Sequence, residues 1–153
     1  MKVHVDDASV VAVAPRDDVT NASGTCLCGA VRYQVSGPMR QVIACHCVQC
    51  RKTSGHYVAA TQVAVVDLEI EDSGAALRWY RSSDDAQRAF CGTCGSSLFW
   101  QRGDDERISI MAGTLDGATG LGTSHHIFTD DRGDYYGLSS DEPQYPQQKS
   151  EST

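Results

Sequence analysis

The chain of 153 residues has no long apolar segment and no excess of basic residues. Its longest purely apolar run, Val10–Ala14, is five residues long, which is too short for a membrane-spanning helix. Acidic Asp6 and Asp7 precede this run in place of the basic segment of a signal peptide, so we expect a cytoplasmic protein without a membrane partner. Because the formal charge is −7, the composition argues against a general nucleic-acid binder, which needs a basic face.

The length fits one domain with its own core. Residues 1–23 show no sustained period and predict a partly flexible extension, with a short edge strand at Val10–Val13. From Gly24 onward, short apolar or alternating runs are separated by Gly, Pro, Ser and Asp. This pattern predicts a mainly β domain over residues 24–146 with little helix. Residues 147–153 are polar and predict a disordered tail. The predicted strands are 30–35, 41–45, 57–66, 77–81, 86–90, 97–101, 107–112 and 126–129, and the predicted helical turn is 47–53.

Seven cysteines are the unusual feature of the composition. The number is odd, so disulfide bonds alone cannot use them all. In a protein without a secretion signal the thiols should stay reduced, and reduced cysteines at tight spacing usually bind a metal. The three clusters in the sequence are Cys26 with Cys28, then Cys45, Cys47 and Cys50, then Cys91 with Cys94.

The first and last clusters together predict a closed metal site. Cys91 and Cys94 lie in a Cys-Gly-Thr-Cys turn followed by Gly95, which can take a positive φ, so both thiolates can reach one metal. A structural zinc needs four ligands, and Cys26 and Cys28 are the natural second pair. We therefore predict a structural zinc in this four-cysteine cluster; the alternative is a pair of redox thiols.

The middle cluster predicts a second, open zinc site. Cys45, Cys47 and Cys50 lie within six residues, and three protein ligands with a free fourth position are the arrangement of catalytic zinc. Three thiolates weaken the Lewis acidity of the metal, so this three-cysteine cluster suits activation of a soft thiol better than hydrolysis. His46 is the alternative fourth ligand, but in an extended stretch it points to the opposite face from its two neighbours. The chain is expected to bind two Zn²⁺ ions.

Five segments of the chain, in order, resemble the glutathione-dependent formaldehyde-activating enzyme family, which includes the centromere protein V-like domains. The resemblance runs from about Gly24 to Pro146, and its segments are 24–33 (GTCLCGAVRY), 45–55 (CHCVQCRKTSG), 90–98 (FCGTCGSSL), 112–116 (AGTLD) and 126–128 (HIF). It implies an Mss4-like zinc-containing β-sandwich with the same division of the cysteines. Asp134-Tyr135-Tyr136 stands where the family often has a Pro-Trp pair.

The resemblance also implies a reaction: the joining of formaldehyde to glutathione to give S-hydroxymethylglutathione, formally a carbon–sulfur lyase reaction in reverse. The three cysteines of the open site would be the catalytic residues, with a small-molecule thiol and an aldehyde or thiol adduct as substrates. Arg51 and Lys52 directly follow the third ligand and are predicted to hold the carboxylates of glutathione; the alternative is a solvated pair. Tyr57 is predicted to line the pocket, and His126 is a candidate proton carrier, with a core or surface histidine as the alternative.

The charge distribution around these motifs favours an anionic ligand. Residues 19–66 contain no Asp or Glu but include Arg32, Arg40, Arg51 and Lys52. Other functions remain open from the residues alone: a biosynthetic or detoxifying lyase that cleaves a larger glutathione or cysteine adduct, and a non-enzymatic zinc-binding module. A redox enzyme on the same scaffold is disfavoured because no cysteine is left as a nucleophile when both metal sites are filled.

Overall fold

Short strands form most of the regular structure in the computed structural model, which describes residues 19–150; the predicted edge strand at Val10–Val13 lies outside the described residues. No helix within residues 19–150 is long and apolar enough to cross a membrane. The strands are β1 (Ala22–Thr25), β2 (Arg32–Val35), β3 (Val42–Cys45), β4 (Val58–Ala64), β5 (Leu68–Glu71), β6 (Leu77–Arg81), β7 (Ala86–Cys91), β8 (Ser97–Arg102), β9 (Arg107–Met111) and β10 (Thr123–Ile127), and the helix is α1 (Val48–Ser54).

The strands form two sheets. The small sheet has the order β1-β2-β5, and the large sheet has the order β10-β3-β4-β9-β8-β7-β6. All neighbouring strands are antiparallel except β10, which runs parallel to β3. This mainly β arrangement of two sheets confirms the predicted β-sandwich-like fold class.

The core lies between the two sheets because each contributes one alternating set of apolar side chains. Tyr33 of the small sheet is buried and meets the Phe99 ring of the large sheet edge-on, with the ring centroids 5.2 Å apart. In the large sheet Phe99 pairs in register with Ile110, and Ile110 pairs with Thr61, so these three side chains share the core-facing side. The opposite face of the large sheet points away from the small sheet.

All eight predicted strand segments overlap observed strands, but several boundaries were wrong. Strand β10 does not reach residue 129, because Phe128 takes a left-handed φ of 55° and a 3-10 turn begins at Thr129. Strand β4 ends at Ala64, since Val65–Asp67 form another 3-10 turn. The prediction also missed β1 and β5, which are four residues long and complete the small sheet.

Candidate functional site

The four-cysteine cluster is built by two turns that meet at one end of the sandwich. Cys26 and Cys28 follow β1, while Cys91 ends β7 and Cys94 lies in the turn before β8. The four Sγ atoms lie within 4.8 Å of one another. The turns are joined where the Leu27 N–H donates to the hydroxyl oxygen of the Ser96 side chain at 2.9 Å. Two segments far apart in sequence thus bring four sulfurs to one point.

The distances and donor types of this cluster fit a tetrahedral metal. The Sγ atom of Cys28 lies 3.6 Å from that of Cys26 and 3.8 Å from that of Cys91. Four sulfurs at Zn–S distances of about 2.3 Å would be about 3.8 Å apart. The Ser96 hydroxyl, 3.3 Å from the Cys94 sulfur, helps to lower the pKa of that thiol to about 5. This cluster could hold a metal ion and is compatible with zinc.

The three-cysteine cluster lies at the junction of β3 and α1. Cys45 is the last residue of β3, Cys47 caps α1, and Cys50 is buried in the first turn of the helix. The Cys47 Sγ atom accepts the backbone N–H of Cys50 at 3.4 Å, which folds the loop back on itself. The three Sγ atoms lie within 4.8 Å of one another, and this cluster could also hold a metal ion. Val58, Ala60 and Met111 pack beside the cysteines as an apolar floor.

The three thiols do not ionise equally. The S–H groups of Cys45 and Cys50 hydrogen-bond to the Cys47 sulfur and lower the pKa of Cys47, and the positive charge of Arg88 lowers it further. The contacts of Cys45 with the sulfurs of Cys47 and Cys50, together with burial, raise the pKa of Cys45 above its usual range. Negative charge therefore forms first at Cys47, at the centre of the cluster.

Arg88 is a site residue that the sequence analysis missed. Its Nη2 atom lies 3.8 Å from Cys50 Sγ and donates to Gln49 Oε1 at 3.4 Å. Arg88 belongs to β7, 38 residues from Cys50 in sequence. No local motif marks it, because only the order and register of the strands bring β7 beside α1.

His46 lies between two of these cysteines in sequence but belongs to a separate buried hydrogen-bonded chain. It has no exposed surface, and burial lowers its pKa to about 4, so the ring is neutral near pH 7. Its Nδ1 atom is 2.5 Å from the Tyr136 hydroxyl, and its Nε2 atom is 2.8 Å from His126 Nδ1. His126 Nε2 is in turn 2.5 Å from Glu142 Oε2. Both ring nitrogens of His46 are therefore occupied away from the three-cysteine cluster.

Each contact in this chain needs one donor and one acceptor. The Glu142 carboxylate accepts from His126 Nε2. His46 is neutral near pH 7 and carries one ring N–H, so it donates to one of its two partners, His126 and Tyr136, and accepts from the other. The C-terminal segment thereby holds the loop that carries Cys45 and Cys47.

The remaining predicted site residues lie on both sides of this loop. Arg51 and the exposed Lys52 are in α1 with Cys50. Tyr57 packs against the His46 ring, with the centroids 4.7 Å apart, and His126 is 4% exposed. Other rings join this group: His56 Nδ1 lies 2.9 Å from the Tyr135 hydroxyl, and the Tyr135 and Tyr136 rings pack together.

His125, the neighbour of His126, is separate from that chain. Its ring hydrogen-bonds to the Ser124 hydroxyl at 2.7 Å and meets the Tyr145 ring edge-on. Burial lowers the pKa of His125. His125 and His126 are consecutive in β10, so they point to opposite faces of the sheet.

Comparison with known proteins identifies a family for the part of the chain that carries both cysteine clusters. The family model described as glutathione-dependent formaldehyde-activating enzyme matches residues 21–131, which include all seven cysteines. A crystal structure of a protein from Rhodobacter sphaeroides is similar, with 28% identity, a TM-score of 0.52, and coverage of 63% of this chain and 89% of that chain. No curated protein matches the chain in a sequence search. Because the family model covers more than half of the sequence, the chain belongs to the glutathione-dependent formaldehyde-activating enzyme family.

Proposed function

We propose that this protein is a zinc-dependent carbon–sulfur lyase or synthase that acts on glutathione-type thiol adducts, as an S-(hydroxymethyl)glutathione synthase does. The observation that carries the proposal is the three-cysteine cluster: three sulfurs converge, and no further Cys, His or carboxylate side chain of residues 19–150 joins them. We assign a structural zinc to the four-cysteine cluster of an Mss4-like fold and a catalytic zinc to Cys45, Cys47 and Cys50.

The reaction balances without a redox partner. The glutathione sulfur attacks the carbonyl carbon of formaldehyde, a C–S bond forms, and the carbonyl oxygen takes a proton. In the reverse direction the hydroxyl loses its proton, the C–S bond breaks, and the thiolate leaves. Zinc bound by the three cysteines would lower the pKa of the substrate thiol, so that its thiolate is available near neutral pH.

The residues around the cluster would bind and orient the substrates. The apolar floor of Val58, Ala60 and Met111 limits water beside the sulfurs, which strengthens electrostatic interactions there. Arg51 and Lys52 supply positive charge for the carboxylates of glutathione. This charge is not neutralised nearby in sequence, since residues 19–66 contain no acidic side chain.

Tyr57 and His126 both pack against the ring of His46, which lies between Cys45 and Cys47 in the loop. Tyr57 would line the substrate pocket from its position against His46. The burial of His126 and the engagement of both its ring nitrogens support a positioning role through His46, in place of direct contact with substrate.

Two measurements test the proposal. Metal analysis of the purified protein should give about two zinc ions per chain, and a value near one would leave the three-cysteine cluster without its metal. Exchange NMR on formaldehyde with glutathione should show acceleration that disappears in Cys47→Ser and persists in Thr53→Ala, an exposed position on the same helix. If the wild type and Cys47→Ser both match the uncatalysed rate, the formaldehyde assignment is wrong.

The tyrosine-rich segment favours one alternative substrate. Tyr135 and Tyr136, which replace the Pro-Trp pair frequent in the family, pack with His56 and Tyr57 into a group of rings. Such a wall suits a larger apolar group on the sulfur than a hydroxymethyl group. Exchange NMR of glutathione with larger alkyl and aryl aldehydes should then show accelerated breakdown of their S-(1-hydroxyalkyl)glutathione adducts where formaldehyde exchange is slow. In these adducts, as in S-hydroxymethylglutathione, the hydroxyl loses its proton as the C–S bond breaks and the thiolate leaves. Turnover of neither adduct class would eliminate this alternative.

A further inference from the structure

The register of the large sheet places Arg88 on the same face as the three-cysteine cluster. Arg88 pairs with Trp100, Trp100 pairs with Ser109, and Ser109 pairs with Gln62, so these side chains share one face. Gln62 lies four residues beyond Val58 in β4, and Val58 pairs with Cys45. Since side chains alternate along a strand, Arg88 and Cys45 project from the same face, the one directed away from the small sheet.

Arg88, beside this cluster, and Arg51, which follows Cys50 in α1, carry buried donors without acceptors. The Nε atoms of both side chains are buried, and neither has a hydrogen-bond partner among residues 19–150. No carboxylate in the described part of the chain forms an ion pair with either side chain. Buried N–H donors are normally satisfied, so the orphaned donor of Arg88 beside the cluster, with that of Arg51 on the helix that carries Cys50, indicates where an acceptor from a ligand fits.

The contacts that Arg88 does make leave most of its donors free. Within residues 19–150 only Nη2 is engaged, in a long hydrogen bond to Gln49 and a contact with the Cys50 sulfur. A guanidinium group presents five N–H donors in a planar fork that matches the two oxygens of a carboxylate. Tyr80, the register partner of Arg88 on β6, is 61% exposed, so a ligand can reach this part of the sheet from solvent.

We propose that Arg88, together with Arg51, forms a carboxylate-binding subsite for the thiol substrate. This inference rests on the proposed function and specifies its substrate class: a thiol that carries a carboxylate within one or two residues of the sulfur, as glutathione does. Arg88 Nη2 is 3.8 Å from Cys50 Sγ, so the subsite begins at the edge of the cluster. A peptide residue spans about 3.5 Å, so a carboxylate one residue beyond the substrate cysteine lies within about 7 Å of its sulfur.

The binding of two matched thiols to the zinc-loaded protein tests this subsite. Titration calorimetry would compare glutathione with its diethyl ester, which keeps the thiol and lacks both free carboxylates. The wild type should bind glutathione about 10- to 100-fold more tightly than the ester, the range expected for a charge-assisted carboxylate contact. Arg88→Gln should lose most of this preference by weakening glutathione binding alone, and Arg88→Lys should restore part of it. Arg102→Gln is the control, since it removes the same charge from an exposed side chain paired with Asp85.

Several results would overturn the inference. Equal affinity of the wild type for glutathione and the ester, or binding of neither, excludes a carboxylate subsite. An Arg88→Gln protein that loses zinc, or that binds both thiols more weakly by the same factor, shows that Arg88 serves the metal site instead. The binding measurement is separate from the catalytic one. If the protein prefers glutathione to the ester through Arg88 but does not accelerate formaldehyde exchange, the proposed function alone is refuted. Accelerated exchange without such a preference refutes the subsite alone.

Discussion

The buried chain Tyr136–His46–His126–Glu142 permits a quantitative test of how the C-terminal segment supports the three-cysteine cluster. His126→Phe keeps an aromatic ring of similar size at a position that is 4% exposed. It removes both hydrogen bonds of His126, one to His46 and one to Glu142. The variant therefore deletes the middle of the chain and leaves both of its ends in place.

The loss of unfolding free energy depends on whether water can replace the hydrogen bond that each former partner of His126 loses. His46 is fully buried, so its Nε2 atom loses its hydrogen-bond partner and cannot be hydrated, which costs about 1–3 kcal/mol. The Glu142 side chain is 36% exposed, so water replaces much of its lost bond, and the loss there is about 0.5–1 kcal/mol. We expect His126→Phe to lower the free energy of unfolding by about 1.5–4 kcal/mol.

Urea denaturation followed by circular dichroism, at pH 7.5 with equal excess zinc, measures this loss. His125→Phe is the matched control, because His125 is also buried but, in the described part of the chain, its ring hydrogen-bonds only to the neighbouring Ser124 hydroxyl. We expect a loss of about 1 kcal/mol or less for the control. If His126→Phe and His125→Phe destabilise the protein equally, the chain does not support the loop as argued.

Three further outcomes are expected. Cys91→Ser and Cys47→Ser should each reduce the zinc content from about two to about one per chain. Only Cys91→Ser should sharply lower the melting temperature, because metal binding at the closed site is coupled to folding. Unfolding of both variants would contradict this division of the two sites. Gly24→Ala should lower the free energy of unfolding, measured by urea denaturation, by about 2–4 kcal/mol. The reason is that a Cβ there would overlap the buried Tyr33 ring and lie 2.6 Å from the Thr114 carbonyl oxygen. Wild-type stability of this variant would refute the prediction. Burial raises the pKa of Tyr33 from 10.0 to about 12, so the folded state holds this proton more tightly than the unfolded state. The resulting stabilisation is complete below pH 10 and is lost as the pH rises through 12, and Tyr33→Phe should remove that alkaline dependence from unfolding curves.

The sequence was sufficient to predict the three-cysteine cluster and each half of the four-cysteine cluster, because these depend on local geometry. The two halves, 63 residues apart, were paired from the need of a structural zinc for four ligands. In Cys45-His-Cys-Val-Gln-Cys50 the backbone alone keeps three sulfurs within reach of one point, and the Cys91–Cys94 turn does the same for two. Strand positions followed from apolar alternation for a similar reason, since the period of a strand is a property of a few consecutive residues. The short strands β1 and β5 were missed because four residues carry too few alternations to stand out.

The tertiary structure decided which distant residues surround those clusters. Arg88 reaches Cys50 only because β7 takes its place in the large sheet. His46 meets Tyr136, and His126 meets Glu142, only because the C-terminal segment returns along β10. Such contacts depend on strand order and register, which are set by the packing of whole sheets. The sequence by itself therefore determined which cysteines could share a metal, whereas the fold determined the charged and aromatic groups around them. The reason is that covalent spacing controls short-range distances and sheet packing controls long-range ones.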